Sequence, residues 1–122
     1  DMTKRGVKCF LADFSVDLQP INNPLFDFEK KYLGTKNDET FITLENWINL
    51  KAPNKTELIL QMDIEGSEYP VILNTSDETL SKFRILVIEF HSLESINNIQ
   101  GYELIRLTFL KLLNASADRP KL

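Results

Sequence analysis

The sequence contains few of the residues that build several common kinds of site. It has one cysteine, Cys9, so no disulfide bond can form within the chain, and this fits a reducing compartment. It has four glycines, and no two of them form the G-x-G pattern of a cofactor-binding loop. No stretch reaches the ~18 apolar residues of a transmembrane helix, and the first residues lack the apolar core of a signal peptide. We therefore expect a cytoplasmic protein without a membrane span.

The residues that are present are typical of a single globular domain. The chain has 122 residues, of which 43% are hydrophobic and 26% are charged. A chain of this size can bury about two-thirds of its unfolded surface, which is enough for a core. The net charge of −4 does not favour binding to nucleic acid or to an anionic membrane. The sequence predicts one domain over residues 1–122 that binds neither.

Two almost continuous apolar segments, Leu58–Ile64 and Phe83–Phe90, predict buried parallel strands. The residues between them predict two short helices, one from about Ser67 and one over Asp77–Lys82. A strand, a helical crossover and a second strand form a β-α-β unit, which is right-handed in nearly all proteins. The expected fold class is therefore α/β, with helices on both faces of a parallel sheet.

Four further elements are predicted from apolar periodicity and from helix-capping residues. They are a strand over Gly6–Val16, a half-exposed strand over Leu25–Leu33, a short helix over Leu44–Leu50 and an amphipathic helix over Tyr102–Leu113. Thr43 is expected to cap the first of these helices, and Gly101 is expected to precede the second.

Polar residues stand where the predicted strands end. They are Asp13, Asp63, Glu65, Glu89 and His91. In open parallel sheets ligands bind at the carboxyl ends of the strands, and charged groups cost less free energy there than in a core. We therefore expect the side chains of Asp63, Glu65 and His91 to line one cleft at this edge.

The same residues also have structural interpretations. The acids of the segment Asp63-Ile-Glu65-Gly66-Ser67-Glu68 can cap a helix, since Glu68 lies near the positive end of the helix dipole. His91, the only histidine, can shuttle a proton near neutral pH or can be a hydrogen-bonded structural residue. An imidazole and carboxylates can also bind a metal, but no fixed ligand spacing supports this, and no metal site is predicted.

The segment "LILQMDIEGSEYPVI" followed by "FRILVIEFH" resembles the FkbM-type S-adenosylmethionine-dependent methyltransferases. Upstream, "GVKCFLADF", "LFDFEKKYLGTKNDE" and "TFITLENWI" resemble the second strand, the third strand and the following helix of that family. The resemblance covers about residues 6 to 113. It implies a Rossmann-like methyltransferase sheet. The family's aspartate-x-glycine-alanine-asparagine loop is not in the sequence, so the expected domain is partial and truncated at its N-terminus.

The resemblance also implies a cofactor, S-adenosylmethionine, and roles for particular residues. Asp13 corresponds to the acid that binds the ribose, and Asp63 and Glu65 correspond to the pocket beside the transferred methyl group. An alcohol acceptor must lose a proton, for which His91 is the first candidate base and Asp63 the second, while Glu65 orients the acceptor.

Three functions follow as hypotheses. The first is O-methyl transfer to a hydroxyl group of a small molecule or glycan, whose identity the sequence does not specify. The second is a non-catalytic α/β remnant or interaction module that binds no cofactor, which the missing glycine loop favours. The third is metal-assisted hydrolysis by the acids with His91. We also expect self-association, or marginal stability of this stretch alone, because an incomplete sheet leaves an apolar edge or face uncovered.

Overall fold

The computed structural model describes residues 2–117 as short parallel strand pairs and helices. The strands are β1 (Cys9–Ala12), β2 (Phe26–Glu29), β3 (Tyr32–Gly34), β4 (Phe41–Thr43), β5 (Leu58–Met62) and β6 (Phe83–Ile88). The helices are α1 (Leu44–Lys51), α2 (Glu68–Asn74), α3 (Asp77–Ser81) and α4 (Ile99–Ala117), with 3-10 turns at Thr3–Arg5 and Leu93–Asn97. The fold is mixed α/β, as predicted.

The predicted parallel pairing of β5 with β6 is confirmed. Leu60 lies opposite Leu86 and Met62 opposite Ile88, and α2 and α3 form the connection. The backbone N–H of Glu89 donates to the carbonyl of Met62 at 2.9 Å, which makes the last hydrogen bond at this end of the pair. The residues that follow the two strands therefore leave the sheet side by side.

Two of the predicted helix starts are set by side-chain caps. The Thr43 hydroxyl accepts a hydrogen bond from the Asn46 N–H at the start of α1, and the Ser76 hydroxyl accepts one from the Thr79 N–H at the start of α3. Each cap satisfies a backbone donor that the first turn leaves without a helical partner.

The core lies on one face of the β5–β6 pair. It joins Leu60, Met62 and Phe83 to buried residues of the helices, among them Leu44, Val71, Ile72 and Leu80. On the opposite face Ile59, Ile85 and Val87 are 51%, 46% and 55% exposed. The prediction of helices on both faces is therefore wrong for this pair, because α2, α3 and α4 pack together on the same side.

A continuous Rossmann-like sheet is not confirmed. The six strands form three separate two-stranded sheets, β1–β2, β3–β4 and β5–β6, and all three pairs are parallel. The segment predicted as one strand over Leu25–Leu33 is two strands. It breaks where the Lys31 N–H turns back to the carbonyl of Glu29 at 2.8 Å, after which Tyr32 pairs with the strand that contains Phe41.

The last helix begins earlier than predicted. Asn98 caps it by accepting the N–H of Gly101 at 2.8 Å, so Gly101 lies inside the first turn of α4 and does not precede the helix. A Cβ atom at Gly101 would lie 2.2 Å from the carbonyl oxygen of Ser95, so glycine is required for the preceding 3-10 turn to pack there. Among the described residues, no helix combines the length and the apolar character needed to cross a membrane.

Candidate functional site

Three of the predicted site residues converge at the carboxyl ends of β5 and β6. The Nε2 atom of His91 lies 3.7 Å from an oxygen of Asp63 and 3.6 Å from an oxygen of Glu65. An oxygen of Glu89 lies 4.0 Å from the same nitrogen. The arrangement follows from the parallel pairing, because residues just past the ends of neighbouring strands are brought within side-chain reach.

The other ring nitrogen of His91 contacts a residue to which the sequence assigned no functional role. The Nδ1 atom lies 2.9 Å from Oε1 of Glu68, whose side chain is fully buried in the first turn of α2. The same oxygen accepts the backbone N–H groups of Ile64, at 3.1 Å, and of Gly66, at 3.2 Å. An acid in the first turn of a helix is usually interpreted as a cap, so burial is the signal that was missing from the sequence.

The turn between β5 and α2 has an unusual backbone. Glu65 and Gly66 have φ values of 55° and 101°, both in the left-handed region. Glycine adopts this conformation without penalty, but for Glu65 it costs on the order of 1 kcal/mol. Ser92, directly after His91, is also left-handed, with φ of 57°. Both chain segments that meet at the site therefore hold a non-glycine residue in a strained conformation.

The backbone of His91 is held by the same helix that holds its ring. The Tyr69 hydroxyl donates to the carbonyl oxygen of His91 at 2.7 Å. The Tyr69 ring is buried and packs on Phe90, with ring centroids 5.3 Å apart. Adjacent residues of α2, Glu68 and Tyr69, thus fix the position of His91.

The pKa values of the central pair move in opposite directions. The hydrogen bond to Glu68 raises the pKa of His91, partly opposed by desolvation, and the negative charges of Glu68, Glu65 and Asp63 raise it further. Burial alone would raise the pKa of Glu68. The backbone N–H groups around it and the bond to His91 outweigh burial, and they hold its pKa below the usual value. Glu68 is therefore ionised at neutral pH beside an imidazole that protonates readily.

The cluster lies on an open edge. The side chains of Asp63, Glu65 and Glu89 are 48%, 85% and 70% exposed, whereas that of His91 is 27% exposed. A cavity of about 320 Å³ lies between β6 and α4, and one of about 190 Å³ lies beside Lys36 and Ser67. Neither is lined by Asp63, Glu65 or His91. The predicted convergence is observed, but the predicted cleft around it is not confirmed.

Asp13, the predicted ribose-binding acid, follows β1 in a different sheet. Its Oδ1 atom accepts the backbone N–H of Ser15 at 2.8 Å and the hydroxyl of Ser15 at 2.6 Å. The ion pairs of His91 are with Asp63, Glu65, Glu68 and Glu89, and Asp13 is not among them. Among the described residues, no hydrogen bond or ion pair links Asp13 to the cluster around His91.

The cluster has ligand atoms for a metal ion and negative charge for an organic cation. Asp63, Glu68 and His91 each offer one ligand atom, and these atoms lie within 4.8 Å of one another. One imidazole and two carboxylates are a donor set that transition metals accept. The exposed carboxylates of Asp63 and Glu65 also suit a cationic organic group, such as the sulfonium of a methyl donor.

Comparison with protein families matches residues 15–114 to the methyltransferase FkbM domain. The chain belongs to the FkbM methyltransferase domain family. The matched region of this FkbM domain contains the whole cluster around His91 and begins two residues after Asp13. Comparisons with curated proteins and with solved structures gave no match. FkbM membership indicates methyltransferase activity and hence a cofactor that donates a methyl group.

Proposed function

We propose that this FkbM domain transfers a methyl group from S-adenosylmethionine to a hydroxyl group of a small molecule or glycan. The observation that most supports the proposal is the convergence of His91 with Asp63 and Glu65 at the edge where β5 and β6 end. Family membership supports the reaction class, and the single imidazole among carboxylates supports a hydroxyl acceptor, which needs a base.

S-adenosylmethionine supplies its methyl group already activated as a sulfonium, so the protein mainly has to align the acceptor. The residues present fit this cofactor in charge. Asp63 and Glu65 place two exposed carboxylates at the site, which would stabilise a cation. Asp13, at the end of β1, is the residue that would bind the ribose hydroxyls.

His91 is the proposed base. Its Nε2 atom faces Asp63 and Glu65 and would accept the proton of the acceptor hydroxyl from a distance of about 3 Å, directly or through one water. Asp63 would border the transferred methyl group and is the second candidate base. Glu65, the most exposed of the three, would orient the acceptor by hydrogen bonding to it.

A second candidate function, an interaction module that binds no cofactor, is favoured by one observation. The outer face of β5 and β6 exposes Ile59, Ile85 and Val87 side by side, and a contiguous exposed apolar patch often marks an interaction surface. Such a face suits contact with a second copy of the chain, and we extend the proposal to self-association through it.

Calorimetry separates these functions. Titration of the protein with S-adenosylhomocysteine should show one binding site per chain. Asp63→Asn should weaken this binding. The control variant Glu103→Gln should leave it unchanged, because Glu103 is an exposed acid that pairs with Arg106 on α4. A labelled methyl donor should then label a member of a panel of hydroxyl-bearing acceptors. Absence of binding together with self-association would favour the interaction module, and binding of Zn²⁺ or Mg²⁺ alone would favour the metal-dependent function.

A further inference from the structure

We propose that Glu68 is a positioning residue that holds the His91 ring with its proton on Nδ1, which leaves Nε2 free to accept the proton of the acceptor hydroxyl. This role rests on the proposed function of His91 as the base in methyl transfer. Glu68 itself contacts no reacting atom, because it lies on the opposite side of the imidazole from Asp63 and Glu65.

The geometry allows one arrangement of the ring proton. Oε1 of Glu68 lies 2.9 Å from Nδ1 of His91, and an ionised carboxylate can only accept hydrogen bonds. Nδ1 must therefore carry a proton. A neutral imidazole has one N–H group, so Nε2 then has a lone pair and no proton.

The carboxylate is prevented from turning away from the ring. Its Oε1 atom also accepts the N–H groups of Ile64 and Gly66, so rotation would break three hydrogen bonds together. The Tyr69 hydroxyl holds the His91 backbone at the same time. The relative position of carboxylate and ring is thus set by α2 and by the turn that precedes it.

Helix capping alone does not explain why Glu68 is buried. Asp77 and Glu78, the acids in the first turn of α3, are exposed, which shows that such residues do not have to leave water. Glu68 is fully buried, and its second oxygen, Oε2, is buried with no hydrogen-bond partner in the described residues. A carboxylate in this position is costly, and it differs from the exposed acids in three contacts, which are the N–H groups of Ile64 and Gly66 and the Nδ1 atom of His91.

The other charges around the ring have a different effect. Asp63 and Glu65, from the turn after β5, and Glu89, from the end of β6, all face Nε2. They favour a protonated ring, and in the neutral ring they favour a proton on Nε2, but at 3.6–4.0 Å from Nε2 they lie farther away than Glu68, whose Oε1 atom is within hydrogen-bonding distance of Nδ1 at 2.9 Å. Glu68 selects the nitrogen, and it also stabilises the imidazolium that forms when Nε2 accepts a proton.

Nitrogen NMR of the full chain tests the assignment directly. His91 is the only histidine, so every imidazole signal belongs to it. We expect the neutral ring to carry its proton on Nδ1, with Nε2 unprotonated. A neutral ring protonated mainly on Nε2 would overturn the proposal, and this measurement needs no variant.

The Glu68→Gln variant tests the cause. It keeps the shape of the side chain and removes the charge, so the titration midpoint of His91 should fall and the form protonated on Nε2 should increase. The matched control, Glu89→Gln, removes an exposed carboxylate that faces Nε2 and should leave the preference for Nδ1–H intact. An unchanged tautomer ratio and midpoint in folded Glu68→Gln would refute the role. If Glu68→Gln loses its dispersed amide spectrum, the variant is unfolded, and the proposal is then tested by the tautomer measured in the wild-type protein.

Turnover then separates this role from the proposed function. Glu68→Gln should lower kcat about 100-fold, in the range of a base lost from catalysis, and leave the affinity for S-adenosylhomocysteine unchanged. If the ring carries its proton on Nδ1 but no hydroxyl acceptor is methylated, the proposed function is wrong and the positioning of the ring stands. If methylation proceeds with the proton on Nε2, Glu68 does not position the base.

Discussion

The hydroxyl of Tyr69 should stabilise the protein through the backbone of His91. The substitution Tyr69→Phe removes only the hydrogen bond to the His91 carbonyl, of 2.7 Å, and keeps the buried ring in contact with Phe90. A net hydrogen bond contributes about 0.5–1.5 kcal/mol, and a buried carbonyl left without a partner costs more. This hydrogen bond is partly buried, so we expect a loss of about 1 kcal/mol.

Urea denaturation measures this loss. For a small domain the free energy of unfolding falls by ~1–3 kcal/mol per molar urea, so the midpoint should decrease by roughly 0.5 M. Tyr102→Phe is the matched control, because Tyr102 is 46% exposed and should lose less than ~0.5 kcal/mol. Equal midpoints for the two variants would show that the bond to His91 does not contribute. The amide signal of His91 should also move in Tyr69→Phe alone.

Three further predictions concern the site and the exposed face. His91→Ala should reduce turnover and leave the calorimetric affinity for S-adenosylhomocysteine nearly unchanged, whereas Asp63→Ala should reduce both; equal loss of affinity in the two variants would contradict the separate roles. The pKa of His91 is raised above 6.5, so its contribution to stability is complete below pH 6.5 and is lost as pH rises through the folded value. The pKa of Glu68 is lowered below 4.5, so its contribution is present above pH 4.5 and is lost as pH falls through the folded value. Urea midpoints should therefore decrease at both ends of the pH range, and a midpoint that stays constant from pH 6 to 9 would count against the interaction between His91 and Glu68. Methyl transfer should increase on the alkaline side, where Nε2 of His91 loses its proton. Finally, Ile85→Lys combined with Val87→Lys should shift light scattering from larger species towards the mass of one chain, and a wild-type protein that is monomeric at all concentrations would refute self-association through this face.

The elements that could be predicted from the sequence depend on interactions between residues close together in the chain. Thr43 and Ser76 cap helices by bonding to N–H groups three residues away, so the capping residue and its partner are read from one short segment. The apolar segments that became β5 and β6 predicted a parallel pair, because a helix-length connection separates them. The meeting of Asp63 with His91 then followed from the topology.

Other features needed the tertiary structure, because their partners are far apart in sequence or depend on packing. Glu68 and His91 are 23 residues apart, and nothing in the local pattern distinguishes Glu68 from an exposed helix cap until its burial is known. The start of α4 depends on the close approach of Gly101 to Ser95. The uncovered face of Ile59, Ile85 and Val87 depends on which side of the strands the helices pack. Periodicity determines that a strand is apolar on both sides, but only the packing of distant elements decides which side is removed from water.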